Sequence, residues 1–130
     1  MPVLARGPLE IDRGEVERQA AEQRLPHVRW PQPFPFDSRR AVLAATLAKR
    51  TGRAVAFSLA AMRQAFNAGR DLSDLDNVLI AAAACELHPR AVLQGIESRA
   101  VAEALDAAAE RAAALGVREL PAVVAAEDSA

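Results

Sequence analysis

From residue 12 onward, apolar positions recur at helical spacing, and capping residues, glycines and prolines cut the pattern into segments. Asp12 with Glu15 three residues later reads as a capping box, starting a helix to about Leu25 before Pro26. In Trp30-Pro31-Gln32-Pro33-Phe34-Pro35-Phe36, alternate prolines forbid both helix and ladder, so an extended, polyproline-like stretch is expected. Asp37 or Ser38 caps the next helix, which runs to about Thr51, stops at Gly52 and carries Leu43 and Leu47 on its apolar side. A third helix, from about Arg53 to Ala68 and closed by Gly69, has the cleanest stripe. Its Val55, Leu59, Met62 and Phe66 share one face, the pattern of a core-facing helix.

Ser73, with Asp76 completing a second capping box, starts a helix through Ile80-Ala81-Ala82-Ala83-Ala84 to about Glu86. It is apolar nearly all round and is expected inside the bundle. His88-Pro89 opens a short helix to about Ile96, with His88 in a capping role. Ser98 caps the last long helix, which ends at Leu115-Gly116. Val101, Leu105, Ala108, Ala112 and Leu115 form its buried side, and Glu103, Asp106 and Glu110 its solvated side. The period then changes. Leu120-Pro121-Ala122-Val123-Val124 reads as a short strand, which needs partners to stand. Residues 1–9, with Pro2, Gly7 and Pro8, read as a loop or edge segment. This gives a helical domain over 10–116 and a loop, strand and tail over 117–130. The mismatch between a full set of helices and a lone strand is the chain's most informative feature.

Composition sharpens this picture. The chain is 52% apolar but only 4% aromatic, so small side chains make up much of the apolar count and close-packed helices are favoured. The net charge of −1 gives no global case for nucleic acid. Charge is nevertheless uneven: residues 1–70 hold twelve basic and six acidic side chains, residues 71–130 four basic and eleven acidic. The basic excess includes Arg39, Arg40, Lys49, Arg50, Arg53, Arg63 and Arg70. It fits either basic helices beside acidic ones or a docking face for a small anion, with Arg39 and Arg40 as contacts. It lacks the interleaved aromatics of a nucleic-acid surface. No apolar run reaches membrane-spanning length.

Candidate chemistry is sparse. Cys85 is the one cysteine, so a disulfide framework within the chain is excluded and a reducing, cytoplasmic setting is expected. Its position in an apolar helix reads as a small core residue. His27 and His88 are far apart with no ligand spacing around them, and no metal site is expected. There is no nucleophile elbow, phosphate loop or dinucleotide fingerprint, and no catalytic residue is assigned. Phe34 and Phe36 flank Pro35 beside a helix start. They read either as a staple that docks the loop or as an aromatic wall with an anion-favouring helix N-terminus. Pro121 is either an ordinary start of a strand or a cis turn that presents the neighbouring amide to an extended ligand.

Taken in order, Trp30-Pro31, then Phe34-Pro35-Phe36-Asp37-Ser38, Phe57, Phe66-Asn67-Ala68-Gly69-Arg70-Asp71-Leu72-Ser73-Asp74, and Gly116 to Ala122 resemble the DsbA-like thioredoxin superfamily. The nearest branch is that of 2-hydroxychromene-2-carboxylate isomerases and kappa-class glutathione transferases. The resemblance covers roughly residues 10–124. It implies a helical domain inserted in a thioredoxin fold, with a residual strand after a cis-proline at Pro121. It also implies a thiol–disulfide oxidoreductase or a glutathione-dependent isomerase or transferase. In that reading Leu120 would pair with a thiol or disulfide substrate, or with glutathione, and Phe34, Phe36 and Asp37 would line the lip of the groove. The chain departs from the pattern with Glu119-Leu120-Pro121-Ala122 in place of Gly-Val-Pro-Thr, and with Asp37 in place of asparagine. It also has no Cys-x-x-Cys and no serine motif in its place. The expectation is therefore a fragment or degenerate member, inactive alone, that needs no cofactor of its own. The alternative is a non-catalytic binding module that forms a homodimer through the strand at 120–124.

Overall fold

A computed structural model describes residues 11–118 and 122–125 of the chain. The protein is mainly helical, as the periodicity predicts. Its helices are α1 (Arg13–Glu22), α2 (Arg39–Arg50), α3 (Ala54–Phe66), α4 (Leu75–Ala84), α5 (Pro89–Glu97) and α6 (Arg99–Ala114). No strand occurs among the described residues. Leu120 and Pro121, on which the strand and cis-proline readings depend, lie outside them, as does the segment read as an edge at 1–9.

The helix boundaries follow local chemistry. Asp12 Oδ1 accepts from the Glu15 amide at 3.0 Å, as expected, but the reciprocal half of the box is not made. Instead the Glu15 carboxylate pairs with Arg18. α1 stops at Glu22, short of Leu25, because Arg24 turns left-handed at φ 56° and sends the Leu25 amide back to the Ala20 carbonyl. Asp37, not Ser38, supplies the side-chain cap of α2, accepting from the Arg39 amide at 2.9 Å. Gly52 closes that helix at φ 72°. The α4 cap falls one residue beyond the expected Ser73: Asp74 accepts from the Asp76 amide at 2.9 Å, while Ser73 is held by Asp71. His88 Nδ1 caps α5 and Ser98 Oγ caps α6, both as read.

Alanine lets these helices approach one another. α2 is the hub and packs on α3, α4, α5 and α6. At its contacts Ala44 and Ala48 are wholly buried, and they meet Ala65 of α3 and Ala82 of α4 in one core. Short side chains bring axes toward the close end of the usual helix-packing range, about 8–10 Å. Phe57, Val78 and Val92 fill the remaining space. Gly95 of α5 sits against Leu47 of α2 so closely that a Cβ there would fall 2.7 Å from Leu47 Cδ2.

Three expectations about faces are corrected. α4 is not enclosed: Val78, Ala81 and Ala82 are buried, but Ile80, Ala83 and Ala84 are exposed. On α6 Val101 is buried, Leu105, Ala108 and Ala112 are half-buried and Glu103, Asp106 and Glu110 are exposed, as expected, but Leu115 is 66% exposed rather than buried. The largest correction concerns α3. Its buried face is Phe57, Ala61 and Ala65, whereas Val55, Leu59 and Met62 are 75%, 48% and 60% exposed. Phe57 and Leu59 are two residues apart, about 200° around a helix, so these are opposite faces. The alanine face wins because it permits close contact with α2 and α4.

Candidate functional site

Leu59 and Met62 of the exposed α3 stripe form one wall of a groove. α1 makes no close backbone approach to any other helix. It stands off the bundle, leaving a cavity of about 680 Å³ between itself and α3. That size lies within the range of roughly 300–1,000 Å³ typical of small-ligand sites. One wall is Val16 and Ala20 of α1, the other Leu59 and Met62 of α3, and Trp30, Phe34 and Phe66 form the floor. Gln19, Gln23, Arg63 and Asn67 supply its polar groups.

The segment between α1 and α2 builds this floor, and its shape differs from the polyproline-like reading. Residues 32–35 bend, and the Gln32–Pro33 and Phe34–Pro35 peptide bonds are cis. Proline excludes helix and ladder here, as read, but ring packing bends the backbone. Trp30 and Phe34 lie 5.2 Å apart between centroids, and Phe34 meets Phe66 edge-on at 5.6 Å and Phe36 at 5.8 Å. Arg13 crosses from α1, stacks its guanidinium 5.2 Å from the Trp30 ring and donates to the Phe34 carbonyl at 3.1 Å. Trp30 Nε1 donates to Glu17 at 2.7 Å. On the other side the Arg29 amide donates to the Phe66 carbonyl at 2.6 Å, and Asn67 Nδ2 to the His27 carbonyl at 3.3 Å. The segment therefore fastens α1 to the end of α3. Gly69 allows this by taking φ 69°, a backbone conformation that L side chains rarely adopt.

Of the residues singled out in the sequence, Phe34 and Phe36 are brought together and half-buried, consistent with both the staple and the wall readings. Asp37 faces the N-terminus of α2 and is committed to its amide. Arg40 donates to the Ser73 carbonyl at 3.1 Å, bridging α2 to the loop before α4, and Arg39 is exposed. The basic α2 does lie beside the acidic α6, where Arg50 donates to the Ala100 carbonyl at 3.3 Å. No ion pair joins the two helices among the described residues. Cys85 is half-buried at the C-terminal end of α4, its thiol donating to the Ala82 carbonyl at 3.3 Å. No cluster of metal-ligating side chains occurs among the described residues, and no described helix is long and apolar enough to cross a membrane.

Sequence reading missed the groove itself. The available signal was that α3 is apolar on two opposite faces, so one of them had to look away from the core. No curated protein and no solved structure matches the chain. A family model does match, and it spans the six helices, the aromatic floor and the C-terminal segment. By that match over residues 12–130, the chain belongs to the DSBA-like thioredoxin domain family.

Proposed function

We propose that this chain is the groove-shaping helical part of a DsbA-like catalyst and performs no thiol–disulfide exchange by itself. Exchange needs a thiolate to attack one sulfur of a disulfide and expel the other, and a second thiolate to resolve the mixed disulfide. The observation that carries the proposal is the state of Cys85, the one cysteine in the sequence. Its thiol is bonded to helix carbonyls at the C-terminal end of α4, the opposite of the electropositive setting of reactive cysteines. The substrate class is thiols or disulfides, glutathione among them. Leu120 and Pro121 are the residues proposed to pair with it, and Arg39 and Arg40 the proposed contacts for its anionic end. The isomerase and glutathione-transferase branch, a cytoplasmic setting and a cis Leu120–Pro121 bond belong to the same proposal. In an insulin-reduction assay with dithiothreitol the chain should add nothing to the uncatalysed rate. Turnover above that rate, whether Cys85→Ser abolishes it or leaves it, would refute the proposal.

A second reading, a non-catalytic binding module, is favoured by the uncovered stripe Val55, Leu59 and Met62. A homodimer through residues 120–124 is one form of it, for which Val123 and Val124 offer exposed apolar side chains. Sedimentation tests that form: a concentration-independent monomer argues against the dimer.

A further inference from the structure

We infer that the groove between α1 and α3 binds a single medium-chain alkyl carboxylate, with its chain along Val16, Leu59 and Met62 and its carboxylate on Arg63. The inference does not rest on thiol chemistry or on the residues at 120–121. Three observations support it. First, the cavity is large and apolar, and its α3 wall exposes Leu59 and Met62, which water-facing helices normally avoid placing side by side. Second, the walls suit a flexible chain better than a flat ring. Trp30, Phe34 and Phe66 meet one another at 50–82°, so no parallel pair remains to sandwich a ring. The Arg13 guanidinium lies 5.2 Å from the Trp30 ring and 5.6 Å from that of Phe34. The aliphatic and thioether side chains opposite adapt to an alkyl chain. Third, the charge at the groove is complementary to a carboxylate. Arg63 lines the cavity, and its guanidinium has no hydrogen-bonded or ion-paired partner among the described residues. Its planar fork of donors matches a carboxylate with two parallel hydrogen bonds. Asn67, also lining the cavity, has its side-chain N–H on the His27 carbonyl, which leaves Arg63 as the primary anchor.

The test uses the full chain and Trp30, the one tryptophan in the sequence, which forms part of the groove floor. Decanoate, titrated below its micellar range, should change Trp30 emission saturably with one site per chain. Decanol should bind about tenfold more weakly, the loss expected for removing a charge-assisted contact at a partly open site. Butyrate should give no change. Arg63→Gln should bring decanoate down to the decanol affinity, and Ala20→Leu, which fills the groove, should weaken both ligands together. Far-UV circular dichroism checks that each variant keeps its helices. Val55→Ser, outside the groove lining, should bind decanoate as the parent does. The inference is overturned if no saturable change occurs, or if decanoate and decanol bind equally well to the parent. It is also overturned if the groove is occupied by a second copy, seen as a dimer that Met62→Glu dissociates and decanoate does not perturb.

Discussion

The orientation of α3 makes a quantitative prediction, because its two apolar faces are assigned opposite roles. Phe57 is 1% exposed and sits in the core between α2 and α4. Phe57→Ala removes its transfer free energy and leaves a cavity that alanine neighbours cannot close, a cost of about 3–5 kcal/mol. Val55 is 75% exposed, so only a quarter of its burial is at stake. With roughly 1.5–3 kcal/mol for full burial, Val55→Ala loses about 0.5 kcal/mol, and the better helix propensity of alanine offsets much of that. Met62 is 60% exposed, and by the same reasoning Met62→Ala costs about 1 kcal/mol. Equilibrium urea unfolding followed by far-UV circular dichroism measures all three. Phe57→Ala could remove a large share of the roughly 5–15 kcal/mol that holds an ordinary domain together. Phe57→Leu therefore serves as a milder partner, expected to cost about 1–2 kcal/mol and more than Met62→Ala. If Met62→Ala or Val55→Ala proves more damaging than the Phe57 variants, α3 is rotated by half a turn from the orientation described, and the groove loses its second wall.

Other expectations are smaller but equally direct. Gly95→Val should destabilise by about 1–3 kcal/mol through collision with Leu47, and Leu47→Ala in the same chain should recover part of it, as a double-mutant cycle would show. Glu86 sits at φ 63° just past α4, so Glu86→Gly should raise the urea midpoint by an amount worth up to about 1 kcal/mol. Gln64 Nε2 is buried without a partner among the described residues, and Gln64→Met should be neutral or stabilising by about 1 kcal/mol in thermal unfolding. Asp12→Ala should cost α1 its cap, about 1 kcal/mol, and raise amide exchange in α1 alone, because α1 packs on no other helix.

How legible the protein was depends on the range of the interaction concerned. Helix positions were readable because caps and stops are local. Asp12, Asp37, His88 and Ser98 accept from amides two or three residues away, and Gly52 and Gly116 take the left-handed turn that ends a helix. The family was readable because its signature residues recur in a set order. Where the order of apolar residues was the sole guide, as on α3 and α4, the buried face was misjudged. Size and hydrophobicity rank Val55, Leu59 and Met62 above Ala61 and Ala65, yet close packing favours the smaller side chains.

The sequence by itself thus determined a mainly helical DsbA-like domain, the approximate positions of its helices, and a single cysteine. Tertiary structure alone decided which face of α3 is core, that α1 stands off the bundle, and that Trp30, Phe34 and Phe66 gather into the floor of a groove. The physical reason is that caps and periodicity act over one helical turn. A groove instead forms between segments some forty residues apart, and its existence depends on which surfaces the other helices have already covered.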